Sequence, residues 1–157
     1  MSKTLIVYYS LFQNTKKLAL EISEQTGGTV IELIPEKKYS FDYNTAAKEV
    51  RSEISRGYCP KLISGNESIE DYETIFIGSP NWFKTVAPPV MSFLRQHDFS
   101  GKTVIPFCTH GGGGFGQIEK DIANECSGAT MLSGLAVNGV GKPEEIINWL
   151  KISGVQL

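Results

Sequence analysis

At 157 residues the chain can bury a sizeable hydrophobic core without disulfide staples, and its length leads us to expect one domain spanning residues 1–157. Hydrophobic residues make up 41% and charged residues 20%, which excludes a disordered or fibrous polypeptide. The 15 basic and 17 acidic side chains leave a net charge of −2, so charge alone recommends neither nucleic acid nor a membrane surface as partner.

Cys59, Cys108 and Cys126 form no CxxC pair and no zinc spacing with either histidine, so no metal site is expected. No apolar run approaches the ~20 residues of a membrane span. The segment from Met1 to Leu5 carries no basic leader region or cleavage site. These features lead us to expect a cytoplasmic protein with no membrane span.

Taken in order, Leu5-Ile6-Val7-Tyr8-Tyr9 is a short continuous run of β-branched and aromatic residues, the pattern of a strand buried on both faces. Asn14 reads as the N-cap of a helix bearing Leu18, Ala19 and Ile22, which Gly27-Gly28 ends. Thr29 to Ile34 reads as a second strand closed by Pro35. Asn44 is placed to cap a helix carrying Ala47, Val50 and Ile54, stopped by Gly57 and Pro60. Thr74 to Gly78 is the third strand, and Pro88-Pro89 sits at a helix start ahead of Val90, Phe93 and Leu94. Thr103 to Cys108 is the fourth strand; Phe115, Ile118, Ile122 and Cys126 line the following helix. Met131 to Val137 gives the fifth strand, and Pro143-Glu144-Glu145 opens the last helix with acids at the positive end of its dipole.

Strands alternating with helices imply right-handed crossovers and one open parallel sheet. Ligands of such sheets bind beyond the carboxyl ends of the strands, where strand order reverses. Three loops at that edge stand out. Ser10-Leu11-Phe12-Gln13-Asn14-Thr15 runs from a strand into a helix N-terminus, whose free N–H groups favour an anion, though an ordinary turn with an Asn cap has the same look. Gly78-Ser79-Pro80-Asn81-Trp82-Phe83-Lys84 sets two large aromatics on a loop, either as a platform for a flat ligand or as a cover for the sheet's end. Thr109-His110-Gly111-Gly112-Gly113-Gly114-Phe115-Gly116 places four consecutive glycines after a strand, a costly choice that suits close backbone approach to a ligand. It is neither a Walker loop nor a dinucleotide fingerprint. Together the loops supply an anion site, an aromatic platform and a backbone edge at one rim.

In these features the sequence resembles the flavodoxin family, in particular its compact short-chain branch. The segment Gly78-Ser79-Pro80-Asn81-Trp82-Phe83 is similar to that branch's Gly-Tyr-Pro-x-Trp-Trp loop, and Thr85 to Val90 and Pro106 to Thr109 match it as well. The resemblance implies an α/β flavodoxin-like fold with five parallel strands in order 2-1-3-4-5, helices on both faces, and FMN at the carboxyl edge. It implies that Ser10, Phe12, Gln13, Asn14 and Thr15 surround the phosphate, that Pro80, Asn81, Trp82 and Phe83 approach the ring system with Trp82 stacked on it, and that Thr109, His110, Gly111, Gly112 and Phe115 border its other edges. The family's first loop usually reads Ser/Thr-x-Thr-Gly-Asn-Thr; here Phe12 and Gln13 stand at its third and fourth positions. No acid lies between Thr74 and His97 or between Thr103 and Ile118, and Lys84 follows the aromatic pair, so the rim is expected to be neutral to slightly positive.

The implied function is electron transfer by FMN between redox partner proteins, in a monomer or weak dimer. An FMN-dependent reductase of quinone-type acceptors and a flavin-free interaction module are the alternatives. A phospho-receiver needs acids where Tyr9-Ser10 and Gly78-Ser79 stand. A tyrosine phosphatase needs an arginine where Gly114 follows Cys108, and no serine-hydrolase elbow occurs. The redox chemistry resides in the cofactor, so no catalytic side chain is expected.

Overall fold

A computed structural model describes residues 3–155. The strands β1 (Thr4–Tyr8), β2 (Thr29–Glu32), β5 (Thr74–Pro80) and β6 (Thr103–His110) pair in parallel in the order β2-β1-β5-β6. Beyond β6 lie two short pieces, β7 (Thr130–Met131) and β8 (Leu135–Asn138), both parallel to it. This is the expected 2-1-3-4-5 arrangement with its fifth strand divided. The division has a local cause. Thr103 and Val104 pair with β7 and Phe107 onward pairs with β8, so Ile105 and Pro106 face three residues, Leu132 to Gly134. Pro106 contributes no N–H to the ladder at this point, and a Cβ on Gly134 would stand 2.3 Å from the Pro106 carbonyl oxygen.

Period-two alternation sorts the central strands into two apolar layers. Leu5, Val7, Ile75, Ile77 and Val104 face one side, against α3 (Pro88–Gln96) and α4 (Ile118–Glu125) through Val90, Phe93, Ile118 and Ile122. Ile6, Phe76, Ile105 and Phe107 face the other, against α1 (Asn14–Thr26) and α5 (Pro143–Ile152) through Leu18, Ile22, Ile146 and Leu150. Leu5, Ile6 and Val7 are all completely buried, which is why the run shows no alternation of polar and apolar residues.

Three expectations need correction. The second strand stops at Glu32; Ile34–Pro35 (β3) instead pairs antiparallel with Leu62–Ser64 (β4), forming a small second sheet. The helix expected from Asn44 is α2, Tyr43–Arg56, and its cap is Asp42, whose Oδ2 accepts the Thr45 N–H at 2.9 Å and the Thr45 hydroxyl at 2.6 Å. Its buried residues are Ala46 and Val50, with Ala47 half-buried. Asn14 is the first residue of α1 rather than its cap; the cap position holds Gln13, in the left-handed region at φ 78°, with no side-chain capping bond.

Candidate flavin site

The strand order reverses at β1: the chain leaves it for β2 on one side and later fills β5 on the other. The crevice at their carboxyl ends is bounded by the three loops singled out above, which enclose a cleft of about 350 Å³, within the ~300–1,000 Å³ range of small-molecule sites. Ser10, Phe12, Asn14, Thr15, Pro80, Asn81, Trp82, Thr109, His110 and Gly111 all line it. No lysine, arginine, aspartate or glutamate does.

At one end is the start of α1, with no acidic residue in its first turn. Unsatisfied N–H groups and the helix dipole make this end positive without any formal charge. The Ser10 hydroxyl oxygen is buried here and has no hydrogen-bond partner among the described residues. Leaving a buried hydroxyl unmade costs ~1–3 kcal/mol, so the atom asks for a ligand. Thr15, at 1% exposure, shares a hydrogen bond with Thr109 (Oγ1–Oγ1 2.7 Å), tying the first loop to the third. Phe12, in a hydroxyl's usual place, turns outward and stacks on Tyr43 with ring centroids 6.4 Å apart. The donor set and the orphaned Ser10 oxygen fit a phosphate bound by neutral donors.

The second loop is built as a tight hairpin. Trp82 and Thr85 exchange two backbone hydrogen bonds (3.2 and 3.1 Å) around Phe83 and Lys84, at φ 55° and 69°. Two successive left-handed residues define a type I′ turn, normally Asn-Gly; non-glycine residues hold it only where the surroundings enforce it. They do so here. Asn81 Oδ1 accepts the Lys84 N–H (2.9 Å), the Gln117 N–H donates to the Lys84 carbonyl (2.6 Å), and Thr85 donates its hydroxyl proton to Asp121. Gly116 is required by this contact: at φ 56°, its Cβ would lie 2.8 Å from both Cα and O of Lys84. Asn81 Nδ2 also donates to the Gly114 carbonyl (2.7 Å), joining the second and third loops.

Behind Trp82 stands a pair of tyrosines that the sequence reading missed. Tyr9 and Tyr39 meet Trp82 edge-on, with centroids at 5.5 and 5.6 Å, and meet each other at 6.0 Å. Tyr39 donates its hydroxyl proton to Glu53. Burial, then this bond, pushes the Tyr39 phenol well above its ordinary value, and burial raises the Glu53 carboxyl. Burial, then the charges of Glu32, Glu53 and Glu49, raise the Tyr9 phenol, and none of these three acids lines the cleft.

Four residues placed at the site by resemblance, Gln13, Phe83, Gly112 and Phe115, are not among those that line this cleft. Gln13 lines a neighbouring recess with Lys38 and Phe41, which shares Ser10 and Leu11 with the cleft. Phe83 faces an apolar pocket next to the cleft. Gly112 is exposed, its N–H donated to His110 Nδ1 (2.9 Å), which orients the imidazole. Phe115 turns away and packs under Gly134, whose Cβ would lie 2.7 Å from its ring, because the bulge opposite Pro106 leaves room there. Conversely, Leu11, Tyr43, Asn138 and Gly139 line the cleft without having been singled out. The signal for the last two was the glycine after the fifth strand: the Gly139 N–H bonds to the His110 carbonyl (3.1 Å).

Comparison with known proteins bears on the family and the fold. A structure from Bacteroides uniformis, provisionally described as a flavoprotein, is 33% identical, covers 96% of this chain and 98% of its own, and superposes with a TM-score of 0.86. A second, from Bacteroides eggerthii with the same description, is 26% identical over 99% of this chain and 100% of its own, TM-score 0.88. The flavoprotein of Lactobacillus acidophilus in complex with FMN shares the fold at 24% identity, 95% and 99% coverage and a TM-score of 0.74. The flavodoxin family model matches residues 3–153, and the chain belongs to that family.

Proposed function

We propose that this chain binds FMN in the cleft and uses it to carry electrons between redox partner proteins. The observation that carries this reading is the buried, unpartnered Ser10 hydroxyl at the N-terminus of α1, facing a need that a phosphate oxygen meets. Ser10, Thr15 and the first N–H groups of α1 would hold the phosphate, Trp82 would cover the ring system, and the backbone of Thr109 to Gly111 would border it. Asn138 and Gly139 close the remaining side. The bound cofactor supplies reversible one- and two-electron chemistry. The protein's part is to bind it, keep water from one face and set its electrostatics. The Lactobacillus complex with FMN supports the identity of the cofactor; the absence of charged side chains from the lining supports recognition by neutral donors and the helix dipole.

The test is an anaerobic titration of FMN-loaded protein with dithionite, followed by mixing with a one-electron acceptor protein such as cytochrome c. We expect two electrons taken up per bound FMN and returned singly to the acceptor. Flavin that is bound but fails to pass electrons to any acceptor protein would overturn the carrier role.

A further inference from the structure

We propose that the chain has a second ligand site beside the cofactor cleft, one that takes a single-ring aromatic carboxylate. Between α2, the first loop and the Trp82–Phe83 turn lies an apolar pocket of about 160 Å³. A cavity of ~150 Å³ with apolar walls holds one benzene ring, so the pocket suits a single ring. Its base is Ala46, Val50 and Leu11, and its walls are Phe12, Trp82 and Phe83. Phe12 and Phe83 remain 46% and 43% exposed, surface that an inserted ring would take out of water.

The polar groups specify the rest of the ligand. The Asn81 amide, which also lines the pocket, already donates to the Gly114 carbonyl through Nδ2 and accepts the Lys84 N–H at Oδ1. The other lining side chains, Tyr43 apart, are apolar. At the rim stands Arg51, one helical turn beyond Ala47, with its guanidinium carbon 4.8 Å from the Phe83 centroid. Among the described residues it forms no ion pair with a carboxylate. A guanidinium held against an aromatic face, with its planar fork free, matches a carboxylate through two parallel hydrogen bonds. A ring turned inward and a carboxylate turned toward Arg51 satisfy both features.

The pocket is distinct from the cleft at Ala46, Ala47, Val50 and Phe83, and shares with it Leu11, Phe12, Tyr43, Asn81 and Trp82. That the site adjoins a flavin rests on the reading above; the pocket itself does not depend on it. The test uses the full chain, with benzoate as probe and benzamide as its neutral counterpart, followed by amide chemical shifts with and without FMN. For a ligand this small, a dissociation constant in the about millimolar range is expected. Benzoate should shift the signals of Ala47 and Arg51 saturably in both forms. Binding should weaken about tenfold or more in Ala47→Phe, which fills the pocket, in Arg51→Gln, and for benzamide. Quenching of FMN fluorescence should be unchanged in Ala47→Phe. Should FMN displace benzoate in step with its own binding, the pocket is part of the cofactor cleft and the proposal fails. Equal binding of benzoate by wild type, Ala47→Phe and Arg51→Gln would overturn it too. A chain that takes no FMN leaves the benzoate experiment intact, so the two readings fail separately.

Discussion

Single residues carry most of the site's chemistry, and two of them make separable predictions. Ser10 has a hydroxyl that is buried and unpartnered. In Ser10→Ala, FMN affinity should fall roughly ten- to hundredfold, the ~1.5–3 kcal/mol of a hydrogen bond to a charged group. The urea midpoint of the cofactor-free protein should hold steady or rise, since an unmet polar group has been removed. A fall in that midpoint would mean the hydroxyl serves the fold instead. Gln13 sits at φ 78° in the position the family gives to glycine. A left-handed backbone costs an ordinary residue ~1–2 kcal/mol, and more with a β-branched side chain, so Gln13→Val should lower stability by that excess. Gln13→Gly should not lower it, because the strain relieved is of the size of the added chain entropy. Equal losses in both variants, measured by urea unfolding, would show that the Gln13 side chain is what matters.

At the scale of elements, capping and turn chemistry explain where the sequence was readable. Strands β1, β5 and β6 were plain because each is an apolar run too continuous for anything but a doubly covered strand, and glycines at 27 and 57 do stop α1 and α2. The starts were less legible. Asn14 and Asn44 both look like caps, yet Gln13 and Asp42 hold those positions: a capping side chain works only where the backbone outside the helix turns correctly, and that depends on loop packing. Asp42 carries a pH prediction. Bonds from the Thr45 hydroxyl and then the Thr45 N–H hold its carboxyl below the usual range. A depressed folded-state value adds stability that is complete above the ordinary carboxylate range and is lost as pH falls through the folded value. Asp42→Asn keeps a cap but cannot titrate, so its stability should decline less than wild type on acidification, as followed by circular dichroism. Parallel acid profiles would remove Asp42 from the account. The small β3–β4 sheet was invisible for a different reason: two- and three-residue strands carry no period, and only the pairing of Ile34 with Ser64 across the fold reveals them.

On the whole-molecule scale, the sheet's strand order is what converts three unremarkable loops into one site. None of them names a ligand alone. The sheet brings the end of β1, the Trp82 hairpin and the loop after β6 around one cleft, and side-chain bonds then join them: Thr15 to Thr109, and Asn81 to Gly114. The chain's order of elements disclosed this juxtaposition, and the resemblance gave it a cofactor. What it did not disclose was lateral packing. Tyr9 and Tyr39 come from segments separated along the chain, and only the fold sets them behind Trp82. Likewise Phe115, placed at the site by resemblance, packs at Gly134. Charge is arranged on this scale as well: among the described residues no lysine, arginine, aspartate or glutamate lines the cleft, and Glu53 accepts the hydroxyl proton of Tyr39, which meets Trp82 edge-on. The central claim is that the α1 N-terminus and Ser10 receive a phosphate while Trp82 covers a flavin. Fluorescence titration of the purified chain with FMN and, in parallel, with riboflavin tests it most directly. Saturable one-to-one quenching by FMN is expected, weakened by Trp82→Ala, with binding of riboflavin lower by a factor of about ten or more because it lacks the phosphate. Equal affinity for the two flavins, or no saturable quenching at micromolar FMN, would contradict it.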